Sequence, residues 1–342
     1  MNQAEVLKQQ FLSSGSLLAI TREYERELPC LFDLILKDNT RLSFWDTGVL
    51  MVEPEQVGDC EIVISSGIHG NETAPIEITE QLISDIVSGK TKVANRVLFI
   101  IGNPVSMNIG KRFEVENMNR LFCGKHEGKN HYEAHRAAQL ESYLKRFFQC
   151  DEKQRYHFDL HTAIRASKYP KFAIYPYPDG KNWDKQQLGF FLASDINTIL
   201  FGHQPSGTFS YYSSHTFSAH AVTVELGKVK QFGENDLVEF TAMTSNLRSL
   251  IEGKDIVTKP FNNDDFNLFQ VQLELVKKSE QAFKLNIAGD VENFTDFEAG
   301  FQLTEDSDGG YKVQQSGEAI VFPNASVPVG QRAGLVVQKT QI

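Results

Sequence analysis

The chain has 342 residues, of which 41% are hydrophobic, 11% aromatic and 23% charged. This composition predicts a folded protein with one large and one smaller domain, and it excludes disordered, collagen-like and coiled-coil chains. The formal net charge is −10, from 34 Lys and Arg against 44 Asp and Glu. That balance argues against a general binder of nucleic acid or of a membrane surface, because phosphate recognition needs a basic surface.

The first 30 residues lack the basic leader and uninterrupted apolar stretch of a secretory signal. No apolar run approaches the roughly 20 residues needed to cross a bilayer. Four cysteines are scattered without a CxxC pair, as expected of reduced thiols. The sequence therefore predicts a cytoplasmic protein without a thiolate zinc site, and it leaves a homo-oligomer open.

Up to about residue 250, short apolar runs alternate with amphipathic segments. Residues 61–66 and 96–101 are rich in β-branched side chains and predict strands buried on both faces. Apolar residues at helical spacing predict helices over 75–87 and 131–149. Two further strands are predicted over 156–160 and 221–226. The pattern is that of an α/β domain.

From about residue 256 the apolar residues follow a period of two instead. Phe269, Val271, Leu273 and Leu275 alternate with polar residues, and a similar pattern runs over 283–287. The intervening turn signals suit short strands. We therefore expect a catalytic domain over residues 1–255 and a smaller β-rich domain over 256–342.

The first segment that could carry chemistry is SGIHGNETAP, residues 66–75, between a predicted strand and a predicted helix. Ligands of open α/β sheets bind at the carboxyl ends of strands, and Gly67 and Gly70 permit a sharp turn that aims His69 and Glu72 at one point. A lone HxxE is a weak signal, and a solvated turn is the competing interpretation.

Two more polar groups end predicted strands. In HFDLH, residues 157–161, Asp159 and His161 share a strand face, so Asp159 either orients His161 or is a polar residue at a strand end. Glu225 lies in a strand that is predicted to be buried. Burial of a carboxylate costs free energy, so such a residue is expected to have a partner or a function. Two histidines and one glutamate match a catalytic zinc site, and a further glutamate fits a general base.

Three basic residues lie in the segment KRFEVENMNRLF, residues 111–122. Arg112 and Arg120 offer planar forks suited to carboxylate binding. An exposed loop with local Arg–Glu pairing is the alternative. Arg165 and Lys168, which follow His161, add positive charge and are further candidates.

Together, HGNE, KRFEVENMNRLF, DLHTA and TVELGK resemble, in this order, the zinc carboxypeptidase-like amidohydrolases, in the branch that contains aspartoacylase and succinylglutamate desuccinylase. The C-terminal GEAIVFPNASVPVGQRAGLVV also resembles this branch, so the likeness spans nearly the whole chain. It implies an α/β fold with a zinc-carboxypeptidase-like mixed sheet flanked by helices, followed by a smaller C-terminal β-rich domain.

The resemblance also implies roles for individual residues. His69, Glu72 and His161 would bind one Zn²⁺ per chain, and Glu225 would be the general base. Arg112 would polarise the scissile carbonyl. The substrate carboxylate would be held by Asn119 and Arg120.

The implied reaction is hydrolysis of the small-molecule N-acyl amino acid N-succinyl-L-glutamate to succinate and L-glutamate, the last step of the succinyl route of arginine breakdown. Two alternatives stay open. One is an aspartoacylase-like deacylase of another N-acyl amino acid, because the motifs at the metal give no information about the pocket that binds the acyl group. The other is a catalytically silent ligand-binding relative, which would have no need of Glu225.

Overall fold

Across residues 2–342, which the computed structural model describes, the chain forms eight α-helices and fifteen β-strands. The helices are α1 (Gln3–Ser14), α2 (Leu17–Glu23), α3 (Thr73–Val87), α4 (Pro104–Asn108), α5 (Tyr132–Phe147), α6 (Lys185–Ala193), α7 (Phe209–Phe217) and α8 (Thr241–Ile251). The strands up to the end of α8 are β1 (Phe32–Ile35), β2 (Arg41–Asp46), β3 (Val49–Glu53), β4 (Cys60–Ser66), β5 (Arg96–Ile101), β6 (Gln154–Ala163), β7 (Lys171–Tyr175), β8 (Thr198–Phe201) and β9 (His220–Lys228). Those that follow are β10 (Asn267–Val276), β11 (Lys284–Leu285), β12 (Thr295–Phe297), β13 (Thr304–Glu305), β14 (Glu318–Val321) and β15 (Arg332–Lys339).

Thirteen strands form one mixed sheet in the order β1-β2-β3-β5-β4-β6-β9-β7-β8-β10-β15-β14-β12. Strands β4, β6 and β9 are neighbours and run parallel, so their carboxyl ends meet at one edge. That edge is where the predicted motifs HGNE, DLHTA and TVELGK lie, because each motif follows or ends one of these strands.

The six elements predicted before residue 255 are confirmed with small shifts at their ends. Strands β4 and β5 are buried along nearly their whole length, as their continuous apolar runs indicate. Helix α3 buries Ile76, Leu82 and Ile83 against the sheet. Burial of each such side chain contributes roughly 1.5–3 kcal/mol, which fixes the helix that directly follows the HGNE motif.

The predicted β-rich C-terminal part is also confirmed, and it continues the main sheet. Strand β10 pairs parallel with β8 on one side and antiparallel with β15 on the other. The pattern over 283–287 gives only the two-residue strand β11, which pairs with β13 outside the main sheet. The division between residues 255 and 256 stays a prediction. No helix within residues 2–342 combines the length and apolar character needed to cross a bilayer.

Candidate metal centre

The turn after β4 brings two polar side chains to the sheet edge, and two glycines make it possible. Gly67 has a positive φ of 62°, which suits glycine. A Cβ on Gly70 would lie 2.1 Å from the backbone nitrogen of Met107, so no side chain fits there. The close approach of the two backbones directs His69 and Glu72 inward, and both are buried.

His69, Glu72 and His161 form a group whose ligand atoms all lie within 4.8 Å of one another. Oε1 of Glu72 lies 2.8 Å from Nδ1 of His69, and Oε2 of Glu72 lies 2.8 Å from Nδ1 of His161. The two Nδ1 atoms are 3.2 Å apart. Ligand atoms around a tetrahedral ion with bonds of about 2.0–2.1 Å are roughly 3.3 Å apart, so this donor set fits a metal ion of that kind with little movement.

Burial and neighbouring charges set the protonation of the three groups. Burial, aided by the positive charge of Arg112, lowers the pKa of His69 to about 4, so this ring is neutral and able to coordinate. Burial alone would raise the pKa of Glu72, but His69, His161 and Arg112 hold it well below its usual range. For His161, Asp159 and Glu72 outweigh burial and raise the pKa well above its usual range.

Each histidine is oriented through its second ring nitrogen. Nε2 of His161 lies 3.0 Å from Oδ2 of Asp159, the contact expected from their shared strand face. Nε2 of His69 lies 2.9 Å from Oδ1 of Asn117, a contact that the sequence did not indicate. Carboxylate and carbonyl partners of this kind fix the ring orientation and tautomer of metal-binding histidines.

Glu225 lies on β9 directly beside His161 in the sheet register. Its side chain is buried, and its Oε2 has no hydrogen-bond partner among residues 2–342. Burial, followed by the negative charge of Glu72, raises the pKa of Glu225 to about 7. A carboxylate with that pKa is suited to accept and return a proton near neutral pH.

The basic segment 111–122 also reaches the centre. Arg112 donates from Nη1 to Oε1 of Glu72 over 2.6 Å, so it pairs across the fold and not with a glutamate of its own segment. Nδ2 of Asn119 lies 3.5 Å from Nε2 of His161, and Arg120 donates to the carbonyl oxygen of Asn119 over 2.6 Å. The structure thus brings Arg112 and Asn119 to the triad and puts Arg120 next to them.

The two further cationic candidates have other partners. Arg165 donates to the carbonyl oxygen of Gly289, and Lys168 pairs with Asp296 over 2.7 Å. Both partners belong to the C-terminal part of the chain. Arg165 and Lys168 therefore join the two parts of the sequence in this structure.

Segment 111–122 is anchored by buried carboxylates of α5. Oε1 of Glu133 accepts hydrogen bonds from the backbone N–H groups of Glu114 and Val115, at 2.7 and 3.2 Å. Glu141 accepts one from Cys123 over 2.7 Å. These bonds hold both ends of the stretch between Arg112 and Arg120, so α5 positions the basic side chains.

We expect Glu133→Ala to loosen this segment. Two backbone N–H groups would lose a charged acceptor, and a hydrogen bond to a charged group contributes roughly 1.5–3 kcal/mol, so amide exchange over residues 113–118 should quicken about tenfold or more. Hydrogen exchange followed by mass spectrometry measures this. Glu152→Ala, at an exposed position, is the control. Unchanged exchange in the Glu133 variant would contradict the anchoring role.

Two family models match the chain. Residues 59–251 match the succinylglutamate desuccinylase/aspartoacylase catalytic domain. Residues 264–340 match the AstE/AspA barrel-sandwich hybrid domain. Together the two matches cover most of the chain.

Relatives of known name agree with these matches. A protein from Idiomarina loihiensis called succinylglutamate desuccinylase is 46% identical over 326 residues, covering 94% of each chain. One of the same name from Shewanella piezotolerans is 45% identical over 331 residues, covering 95% of this chain and 96% of its own. A crystal structure described as a succinylglutamate desuccinylase from Chromobacterium violaceum is 34% identical, with a TM-score of 0.85 over 96% of this chain and 98% of that one. A similar structure from Vibrio parahaemolyticus is 36% identical, with a TM-score of 0.84 over 95% of both chains.

Proposed function

The chain belongs to the succinylglutamate desuccinylase/aspartoacylase family, and we propose that it is a zinc-dependent amidohydrolase that cleaves N-succinyl-L-glutamate to succinate and L-glutamate. The observation that carries the proposal is the convergence of His69, Glu72 and His161 beside a buried, unpartnered Glu225 oxygen. The names of relatives about 45% identical over nearly the whole chain support the succinyl substrate. We assign the reaction to the last step of the succinyl route of arginine breakdown, in the cytoplasm.

In this proposal, His69, Glu72 and His161 hold one zinc ion per chain, and Asp159 and Asn117 orient the two histidines. Bound zinc lowers the pKa of water toward neutrality and polarises a carbonyl. His69 is already neutral, so it coordinates without losing a proton. These three residues would supply three ligands to the ion and would leave a fourth position for water or substrate.

Glu225 accepts the proton of the attacking water and returns it to the departing amine of glutamate. Its pKa of about 7 allows both transfers, since it is ionised in a large fraction of molecules yet remains a usable acid once protonated. Arg112 supports the charge that develops on the scissile carbonyl oxygen, as its position beside Glu72 allows. Asn119 and Arg120 hold a substrate carboxylate, which fixes the amide next to these groups.

A second candidate is an aspartoacylase-like deacylase of another N-acyl amino acid. The matching catalytic-domain model covers both desuccinylases and aspartoacylases. In this proposal the metal-binding residues, Glu225 and Arg112 act on the amide, and Asn119 and Arg120 act on a carboxylate; both kinds of substrate carry these two groups. A silent binding protein is disfavoured, because a buried Glu225 oxygen without a hydrogen-bond partner costs free energy, and a proton-transfer role accounts for that cost.

The test is elemental analysis and a substrate panel on one purified sample. We expect about one zinc per chain and preferential hydrolysis of N-succinyl-L-glutamate over N-acetyl-L-aspartate and N-acetyl-L-glutamate. A sample that contains zinc and cleaves only an acetyl substrate would support the mechanism and favour the aspartoacylase-like deacylase. A sample with neither metal nor turnover of any panel member would overturn the proposal.

A further inference from the structure

A buried histidine that the mechanism does not use lies on the same strand as the metal-binding His161. His157 precedes His161 on β6 and shares the strand face of Asp159 by parity. Its side chain is fully buried. Nε2 of His157 lies 2.8 Å from Oγ of Ser65, and Nδ1 of His157 lies 2.6 Å from Oγ of Ser213. Both ring nitrogens are therefore paired with hydroxyl groups.

Ser65 connects His157 to the carboxylate that orients His161. Ser65 lies on β4 directly beside Asp159 in the sheet register, and its Oγ donates to Oδ1 of Asp159 over 2.6 Å. The other oxygen of this carboxylate, Oδ2, lies 3.0 Å from Nε2 of His161. Rotation about the last torsion of an aspartate side chain is otherwise broad. A donor on each oxygen therefore fixes the plane of the Asp159 carboxylate.

The directions of these hydrogen bonds follow from the hydrogens available. A serine hydroxyl carries one hydrogen, and an ionised carboxylate only accepts. Ser65 donates its hydrogen to Asp159, so its oxygen accepts one from Nε2 of His157. Burial lowers the pKa of His157 to about 4, so the ring is neutral near neutral pH and its Nδ1 accepts from Ser213. In the series Ser213, His157, Ser65 and Asp159, which we call the hydrogen-bond chain, each residue donates to the next.

The outer end of the hydrogen-bond chain lies on a helix that the core holds in place. Ser213 belongs to α7, whose residues 209–213 are all buried. The ring of His157 packs edge-on against the ring of Phe209, with 4.7 Å between their centroids. The backbone N–H of Phe209 donates to Oδ1 of Asn119 over 2.9 Å, which ties the same helix to segment 111–122. Ser213 is therefore a fixed anchor.

The polar side chains of the hydrogen-bond chain replace what could be ordinary core. Ser65, His157 and Ser213 are completely buried, and none of them belongs to the metal-binding group. Burial of a polar group costs free energy, and a hydrogen bond inside the protein mainly offsets that cost. Apolar side chains would fill the same space without it. Orientation of the Asp159 carboxylate gives these three polar residues a function.

We propose that His157 is a positioning residue of the metal centre: together with Ser65 it fixes the carboxylate of Asp159, and Asp159 in turn fixes the ring of His161. This inference rests on the proposed function and deepens it, because it extends the site to residues that contact neither the metal nor the substrate. Loss of an outer partner of a metal ligand typically changes metal affinity or activity 10- to 100-fold.

His157→Phe tests the proposal, because it keeps a ring beside Phe209 and removes both hydrogen bonds. We expect the Kd for zinc to rise about tenfold or more, and kcat for N-succinyl-L-glutamate to fall about tenfold or more. KM should change less than about threefold, because Asn119 and Arg120 are not altered. Competition with a chromophoric chelator at one fixed pH measures the Kd, and steady-state kinetics of zinc-loaded protein measures kcat and KM.

Two further variants separate positioning from packing. His157→Gln keeps an amide N–H group that can donate to Ser65, so it should recover most of the loss in zinc affinity and in kcat. Ser194→Ala removes another buried serine hydroxyl, at the end of α6 and outside the hydrogen-bond chain, and should leave the Kd and kcat unchanged. An equal loss in His157→Phe and His157→Gln, or no loss in His157→Phe, would overturn the inference.

The tautomer of His157 is a readout that needs no turnover. Nitrogen NMR of the metal-free wild type with isotope-labelled histidine should show a neutral His157 ring with its hydrogen on Nε2. The signals of His157 are those missing from the spectrum of His157→Gln. A hydrogen on Nδ1 would reverse the bonds to Ser65 and Ser213 and overturn the inference.

Zinc affinity separates this inference from the proposed function, because it too is measured without turnover. A Kd that rises in His157→Phe, in a protein that does not cleave N-succinyl-L-glutamate, would support the positioning role and reject the substrate. Normal cleavage by the wild type with an unchanged Kd and kcat in His157→Phe would reject the positioning role alone.

Discussion

Glu225→Gln is expected to lower kcat on the order of 10²-fold or more while the metal content stays that of the wild type. Glutamine keeps the size of the side chain but cannot accept a proton from water at neutral pH. The replaced carboxylate is only 6% exposed, so bulk solvent is poorly placed to take over the transfer. Steady-state kinetics and zinc analysis on the same preparation measure both quantities.

Glu234→Gln is a matched control, since it makes the same chemical change at an exposed position. It should leave kcat unchanged. Near-normal turnover in zinc-loaded Glu225→Gln protein would assign the base to another residue. A loss of zinc in parallel with the loss of turnover would instead make Glu225 part of the metal site.

The same substitution should have a pH-dependent effect on the stability of the metal-free protein. The pKa of Glu225 rises from an ordinary 4.5 to about 7 on folding, so the folded state holds this proton more tightly than the unfolded state does. Wild-type stability therefore falls as the pH rises from about 4.5 to 7, by on the order of 3 kcal/mol from this group. Glu225→Gln should raise Tm at pH 8, and this gain should disappear toward pH 4.5.

Much of the centre could be predicted because its donors lie next to strong local patterns. The continuous apolar runs of β4 and β5 predict buried strands, strands are also predicted at β6 and β9, and parallel strands present the residues that follow them at one edge. The motifs after them then supply His69, Glu72 and His161 together. Alternation over 269–275 likewise predicts β10, because a strand with one buried face requires a period of two.

Other features depend on contacts between distant parts of the chain. Asn117 meets His69 across 48 residues, and nothing in its neighbourhood distinguishes it from the other polar residues of its segment. Arg332 reaches Glu274 only because β15 pairs with β10. Over 283–287 only Lys284 and Leu285 form a strand, and the three flanking residues lie outside it. Local sequence carries no signal for such tertiary placement.

Removal of the metal with a chelator should abolish hydrolysis, and addition of zinc should restore it. The three donors lie on the turn after β4, at the start of α3 and near the end of β6, elements that the core holds independently of the ion. The metal-free protein should therefore stay folded, and the loss should be reversible. Circular dichroism and activity before and after zinc addition test both points, and full activity in verified metal-free protein would refute zinc dependence.

The affinity for zinc should weaken as the pH falls, and His161 should be the cause. Asp159 and Glu72 keep the pKa of His161 raised in the absence of metal, so the ion must displace one proton from this ring. His69 is neutral above about pH 4, and Glu72 is ionised, so neither adds a proton to the exchange near neutrality. Competition with a chromophoric chelator should then give a Kd that rises about tenfold for each pH unit below the pKa of His161. His161→Ala should lose tight binding, whereas His215→Ala, at a half-exposed position outside the triad, should retain both the affinity and this slope. A slope of two protons would show that a second group, His69 or Glu225, also releases a proton when the metal binds, and a Kd independent of pH would contradict the protonation of His161.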